Sequence, residues 1–263
     1  MLYLLSPAKS LDYETPVPAA TWRKADQPLF VEQAAELIAL MRRRTPAQVA
    51  SLMGLSDALA QLNVARYAAW RPQATAANSK PAALAFDGDV YDGLRAATLS
   101  QADLNWAQRH LVILSGLYGV LRPLDRLQPY RLEMGTALAN ARGKDLYAFW
   151  GERIAEHLNE RLQGERAPVV VNLASVEYAR AALRPSLRAR VIDCQFEDWK
   201  GDRYKVISFF AKRARGMMAR WAVEQRAATP RRLRDFTADG YALAAEASTA
   251  ERLVFRRRLD GAE

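Results

Sequence analysis

A chain of 263 residues, half of them hydrophobic and a quarter charged, is long enough to bury a full core, and none of its apolar runs reaches the ~18 residues of a membrane-spanning helix. One cysteine, Cys194, excludes an internal disulfide framework, and two histidines, His110 and His157, leave no zinc-finger or iron–sulfur spacing. A net charge of +9, with a pI of about 9.8, favours a polyanionic partner.

Leu2 to Leu5 is a short apolar run ending at Ser6-Pro7 and is expected as a buried strand. The N-terminus has no basic region and too short an apolar run for a signal peptide, so the cytoplasm is the expected location. Lys9 follows the strand as an anion contact, a Schiff-base amine or simply an exposed lysine. Residues 12–28, with prolines at 16, 18 and 28, read as a loop. Residues 29–44 read as a helix with Phe30, Ala34, Leu37 and Met41 on one face.

Thr45 as cap and Pro46 at the first helical position then open a new helix. Leu52-Met53-Gly54-Leu55-Ser56 is a tight break, and Ser56 caps a second helix with Leu59, Leu62 and Ala65 along one side. This is the layout of a helix-hairpin-helix over residues 45–69. Its hairpin would present the backbone donors of Gly54, Leu55 and Ser56 to a phosphate at a helix N-terminus. Two short helices around a glycine are also often only a helical corner. Residues 71–81 are polar and proline-bounded, so 29–70 read as a helical segment inserted into one α/β domain spanning 1–263.

Strands are expected at 82–86, 111–114, 169–172, 191–196, 203–209 and 253–257, and helices at 101–108, 145–163, 176–182 and 210–226. Their irregular alternation predicts a mixed α/β (α+β-like) fold: a mixed sheet with surrounding helices, not a regular doubly wound one.

Four segments carry candidate chemistry. Residues 86–93 place Asp87, Asp89 and Asp92 after a strand, which suits a metal or acid–base work, although taken alone the segment reads more simply as an aspartate- and glycine-rich turn. The spacing is not that of an EF-hand loop. In Leu114 to Asp125, Gly116 and Gly119 permit close backbone approach without matching a P-loop or dinucleotide fingerprint. With Pro129 to Met134 this stretch groups Arg122, Asp125, Tyr130, Arg131 and Glu133, either a structural ion-pair network or the floor of a polar cleft. Asn172 and Ser175 sit where a strand passes into a helix, Ser175 as its cap. The helix at 210–226 is expected to bury Phe210, Ala214, Met217 and Trp221, with Lys212, Arg215 and Arg226 opposite and Arg213 and Arg220 along one edge. Gly216 lowers helix propensity by ~1 kcal/mol relative to alanine, which suggests close backbone approach. Lys205 to Arg234 holds nine basic residues and one acidic, +8 in thirty residues. With few acidic partners at i±4, that excess reads as a phosphate-tracking surface more than as a solvated face.

Ser6-Pro-Ala-Lys9, Phe86-Asp-Gly-Asp-Val-Tyr91, Leu114-Ser-Gly-Leu-Tyr-Gly119, Leu121-Arg-Pro-Leu-Asp125, Pro129-Tyr-Arg-Leu-Glu-Met134, Lys144-Asp-Leu-Tyr-Ala-Phe-Trp150, Asn172-Leu-Ala-Ser175 and Ile207-Ser-Phe-Phe-Ala-Lys-Arg-Ala-Arg-Gly216 resemble the YaaA peroxide-stress protein family, from Met1 to about Arg257. The resemblance implies a cytoplasmic bacterial protein that limits damage during hydrogen peroxide stress, linked to low unincorporated iron and to DNA protection. It implies a fold of the family's own, an α/β body with a helix-hairpin-helix and a positively charged cleft, and binding of duplex DNA. It carries no reaction. Two features depart from the pattern: Ser56 stands where the hairpin usually has a second glycine, and the tail from Arg256 to Glu263 starts more basic than expected.

The expected function is therefore binding of duplex or distorted DNA without sequence specificity. Gly54, Leu55 and Ser56 would hold the backbone. Lys9, Arg122, Arg131, Lys212, Arg213 and Arg215 would line a basic cleft, and arginines beside Tyr91, Tyr118 and Tyr130 would stack on unpaired bases. The alternative is an enzyme acting on nucleic-acid bases or nucleotides in the same cleft, glycosylase-like, with Lys9, Asp87, Asp89 and Asn172 as catalytic candidates. No cofactor, metal site or membrane partner is expected, and a monomer is the default.

Overall fold

The computed structural model describes residues 1–258, so of the basic tail only Arg256 to Arg258 fall within it and the remainder lies outside the described residues. In chain order the first part contains β1 (Leu2–Leu5), β2 (Ser10–Leu11), α1 (Ala19–Trp22), α2 (Val31–Arg42), α3 (Pro46–Met53), α4 (Asp57–Ala69), β3 (Lys80–Pro81), α5 (Ala82–Ala85), β4 (Phe86–Asp87), α6 (Asp89–Leu94) and α7 (Gln101–His110). Then come β5 (Leu111–Ser115), β6 (Gly119–Leu121), β7 (Arg126–Leu127), α8 (Leu146–Trp150), α9 (Arg153–Arg161), β8 (Val169–Asn172) and α10 (Val176–Ala182). The chain ends with β9 (Arg190–Lys200), β10 (Arg203–Lys205), α11 (Ser208–Glu224), α12 (Pro230–Leu233), β11 (Ala242–Leu243) and β12 (Arg252–Arg257).

The fold is mixed α/β, as expected, around a mainly parallel sheet ordered β11-β12-β9-β8-β1-β5-β6. All four residues of β1 are buried, as suits a strand covered on both faces. Tyr3 lies opposite Val171 of β8 on one side and Leu111 of β5 on the other. Strand order reverses at β1: the chain proceeds to β5 on one side and returns to β8 and β9 on the other. A crevice is expected beyond the carboxyl ends of the strands at such a reversal.

Several elements differ from the sequence expectation. Ala82–Ala85 is a turn of helix, not a strand. An unbroken apolar run has no period to separate the two, alanine favours helix, and the Ala82 and Ala83 amides are bound by the carbonyls of Asp125 and Pro123. The strand expected over 203–209 ends at Lys205, and the helix expected over 145–163 is broken at Gly151, whose φ is +51°. In α11 the core-facing residues are Ala211, Ala214, Met218 and Ala222, while Phe210, Met217 and Trp221 are only partly buried.

The α3–α4 pair has the expected ends. Thr45 and Gln48 form a reciprocal capping box, Gly54 takes a left-handed conformation with φ +61°, and the Ser56 hydroxyl accepts the Leu59 amide. The face of α4 is not the expected one: Leu59 and Leu62 are 40% and 44% exposed, and Ala60, Asn63 and Tyr67 point inward. Tyr67 decides this by donating its hydroxyl to the Arg131 carbonyl. Buried Asn63 is satisfied locally by donating to the Leu59 carbonyl at 2.8 Å.

A buried lysine secures the loops at the end of β1. Lys80 is 4% exposed and donates to Asp12 Oδ2 at 2.9 Å, while the Thr15 and Glu14 amides donate to Asp12 Oδ1. Those amides, Thr15's first, together with the Lys80 ammonium hold the Asp12 carboxyl below the usual carboxylate range. A depressed pKa stabilises the fold above the unfolded value and loses that contribution as pH falls below it. Asp12→Asn is expected to cost about 2–3 kcal/mol at pH 7, at or below the range for breaking a buried pair because Asp12 itself is partly exposed. The difference from wild type should shrink in urea unfolding at pH 3. Equal losses at both pH values would show that the carboxylate charge is not what matters.

Candidate functional site

The site is built on a crossing of α6 and α11. A Cβ added to Gly216 would meet the Val90 carbonyl oxygen, and one added to Gly93 the Arg213 carbonyl oxygen, both far inside the 3.0 Å that real Cβ atoms respect. The close approach suggested by Gly216 is therefore real, and the two helices touch backbone to backbone. Asp89, opening α6, faces Lys212 of α11 at 3.7 Å. The ends of β1 and β8 are joined by the Ser175 amide donating to Ser6 Oγ at 2.8 Å, and Tyr91 donates to the Ser6 carbonyl at 3.1 Å. Gly116 lets the Ser115 turn back directly onto the Leu132 carbonyl, and Tyr130 shares a 2.7 Å hydrogen bond with Ser115 Oγ.

These contacts enclose a cavity of about 420 Å³ at the carboxyl ends of β1 and β8, lined by residues 6–10, 87–90 and 130–133 with Ser175, Glu177, Tyr178, Lys212 and Arg215. Of the catalytic and DNA-binding candidates it brings together six, Lys9, Asp87, Asp89, Arg131, Lys212 and Arg215, and adds Tyr130, Glu133 and Ser175 from the polar segments noted in the sequence. Glu177 and Tyr178 were not assigned to a site there. Their only signal is their place on the first turn of the helix that follows a parallel strand.

The other candidates lie elsewhere. Arg122 binds Asp125 at 2.9 Å and Asp26 at 3.0 Å, beside His157 and Arg161 in a second cavity of about 680 Å³. Burial pushes the Asp125 carboxyl up to about 6 against the opposing pull of the Arg122 guanidinium. Arg213 pairs with Asp239 at 3.0 Å. Asn172 donates to Asp193 at 2.7 Å and accepts the Ala174 amide at 3.0 Å, so it is occupied in ending β8. In the hairpin, the Gly54 and Leu55 amides both turn inward to the Ala50 carbonyl, which closes the end of α3. Of the three expected donors only the Ser56 amide has no acceptor among the described residues. Tyr91, Tyr118 and Tyr130 are buried and unable to stack on a base.

Nor is the cleft basic. Lys9, Arg131, Lys212 and Arg215 are balanced by Asp87, Asp89, Glu133 and Glu177, four charges against four. Glu133 Oε1 holds Arg131 at 2.9 Å and Lys9 at 3.8 Å. The +8 stretch is likewise largely paired: Arg220 with Glu224, Arg226 with Asp103, Arg232 with Asp235, besides the Lys212 and Arg213 pairs above. Most of these carboxylates come from other elements, so spacing along one helix cannot reveal them.

The family described as peroxide stress protein YaaA matches residues 1–247. The chain belongs to this family. Similar proteins, each named UPF0246 protein, occur in Leptothrix cholodnii, 64% identical over 257 residues and covering 98% of both chains. The relative in Methylibium petroleiphilum is 64% identical over 259 residues, 98% of this chain and 100% of its own. That in Variovorax paradoxus is 62% identical over 261 residues, 98% of this chain and 99% of its own. The resemblance seen in the sequence motifs is thus borne out, and it places the protein with the oxidative stress response.

Membership bears on which groups could meet peroxide. Cys194 is 6% exposed, and burial pushes its thiol up, the reverse of a reactive thiolate. Among the described residues no group of three His, Cys, Asp or Glu side chains is placed to hold a metal ion, and no helix is long and apolar enough to cross a membrane.

Proposed function

We propose that this YaaA-family protein acts in the peroxide response by holding DNA and admitting one unpaired or damaged nucleotide to the α6–α11 cleft. The observation that carries this reading is the convergence of Lys9, Asp87, Asp89, Arg131, Lys212 and Arg215 on one cavity. Its volume of about 420 Å³ suits a single nucleotide, not a duplex. Two exposed apolar side chains stand beside it in sequence: Val176, 87% exposed, between the lining residues Ser175 and Glu177, and Phe209, 56% exposed, one turn before Lys212. Apolar groups at such a mouth suit contact with an unstacked base step. The hairpin contributes the Ser56 amide and, one helix away, Arg43, an exposed cation without a partner among the described residues. It is an accessory grip. Protection of DNA would follow from this binding in the cell.

Acting on the base is the second reading, and the presence of Lys9, Asp87 and Asp89 in the cleft favours it. Asp89 and Lys9 would supply acid–base and amine chemistry; Asn172 drops out because it does not line the cavity and its amide is engaged by Asp193 and Ala174. The test is anisotropy with a duplex carrying an unpaired or damaged base. Two phosphate contacts, at Arg215 and Arg43, predict a log–log salt slope of roughly −2, a loss of about 10-fold in affinity between 50 and 200 mM salt. An affinity indifferent to salt would remove the DNA reading. Binding and DNA protection that both survive Asp89→Asn would remove catalysis by that carboxylate.

A further inference from the structure

We infer that Arg215 is the anion-binding residue of the cleft and that its ligand is a phosphate carried on a small organic body with an N–H donor. The pairing of the cleft's four cations singles it out. Lys9 and Arg131 share Glu133, and Lys212 faces Asp89. Arg215 has no carboxylate and no hydrogen bond among the described residues, and its Nε is buried without a partner.

The reason lies in what surrounds it. Arg215 sits on the half-buried flank of α11, near the protonated thiol of Cys194 on β9, and burial lowers its pKa with no carboxylate to oppose the shift. A guanidinium withdrawn from water without a counter-ion is costly, and an entering anion supplies the missing partner. Guanidinium matches a phosphate with two parallel N–H bonds, which an ammonium cannot do. The opposite need is also present. Glu133 Oε1 is engaged twice, while Glu133 Oε2 is buried with no partner. The Asp87 carboxylate, also lining the cleft, has no partner among the described residues. A ligand that satisfies the cleft therefore brings an anion to Arg215 and a donor to Glu133. A nucleoside monophosphate unit has both. The nucleoside part rests on the function proposed above; the phosphate contact does not.

The test uses the full chain and three probes: inorganic phosphate, deoxyadenosine monophosphate and deoxyadenosine, by calorimetric titration. Wild type is expected to bind the monophosphate at least 10-fold more tightly than the nucleoside, with inorganic phosphate competing. Arg215→Gln should remove that difference and leave the nucleoside unchanged. Arg215→Lys should retain part of it, and Arg188→Gln, at an exposed site outside the cleft, all of it. Without ligand, the Arg215→Gln melting temperature should equal or exceed that of wild type, because an unpaired charge has been removed; a structural arginine would give a fall. Equal wild-type affinities for monophosphate and nucleoside, no binding of phosphate or monophosphate at millimolar concentration, or a monophosphate affinity untouched by Arg215→Gln would overturn the inference. Phosphate discrimination in a protein that fails to bind duplex DNA would leave the anion site standing and remove the DNA reading.

Discussion

Gly216→Ala is expected to destabilise the protein by about 3 kcal/mol or more, read as a lower urea midpoint, although glycine to alanine inside an exposed helix ordinarily stabilises by up to ~1 kcal/mol. The inverted sign is the diagnostic. The new methyl would meet the Val90 carbonyl oxygen and crowd the Leu94 amide, both backbone atoms of α6 that no rotamer change can move aside. Relief requires α6 and α11 to separate. Gly93→Ala meets the same obstacle from the other side, against the Arg213 carbonyl. The double variant should cost less than the sum, since the helices need separate only once. A neutral or stabilising Gly216→Ala would mean that the helices are not in backbone contact. The consequence reaches the site, because the crossing holds Asp89 near Lys212 and aims Arg215 into the cleft.

That crossing shows how far the sequence alone can be read. The glycine inside the basic helix signalled a close approach, but its partner Gly93 looked like one more residue of an aspartate- and glycine-rich turn. β1, β5, β8 and β12 were legible because continuous apolar runs of three or four residues suit strands buried in a parallel sheet. The caps of α3 and α4 were legible because capping is local chemistry. What failed was non-local. The faces of α4 and α11 were chosen by the largest apolar side chains, yet Tyr67 is drawn inward by its bond to Arg131, and α11 turns its alanines inward because a bulky face cannot approach α6. The cleft was half legible. Arg122 and Arg131 stand nine residues apart in similar surroundings, and only the Gly116–Leu132 contact sends the second into the cleft while Asp125 retains the first. The charge of the cleft was misjudged for the same reason: its carboxylates come from three different segments of the chain.

Arg257→Met alone is expected to cost about 3–5 kcal/mol, the range for breaking a buried ion pair. Arg257 is almost wholly buried and donates to Asp198 at 2.7 Å and Asp239 at 2.6 Å, with Tyr241 completing the set by donating to Asp198 at 2.6 Å. The guanidinium also lies over the rings of Phe210 and Tyr241, 4.8 and 4.5 Å from their centroids. Truncating it leaves Asp198 charged, buried and held only by Tyr241, and that orphaned charge accounts for most of the cost. Asp198→Asn should therefore also destabilise. The double variant should recover roughly 1–3 kcal/mol relative to the sum of the two single losses, the coupling expected of groups in one network. Strict additivity in urea unfolding would show that packing of the arginine stem, not its charge, is what the fold requires. The network is also a tether for the site. Asp239 binds Arg257 of β12 and Arg213 of α11 with the same oxygen, so the strand next to one end of the sheet order is tied to the helix that carries Lys212 and Arg215. An Asp239→Asn variant loses that link at an exposed position, with a smaller loss of stability than Arg257→Met. If the tether positions the cleft, this variant weakens monophosphate binding while the fold survives.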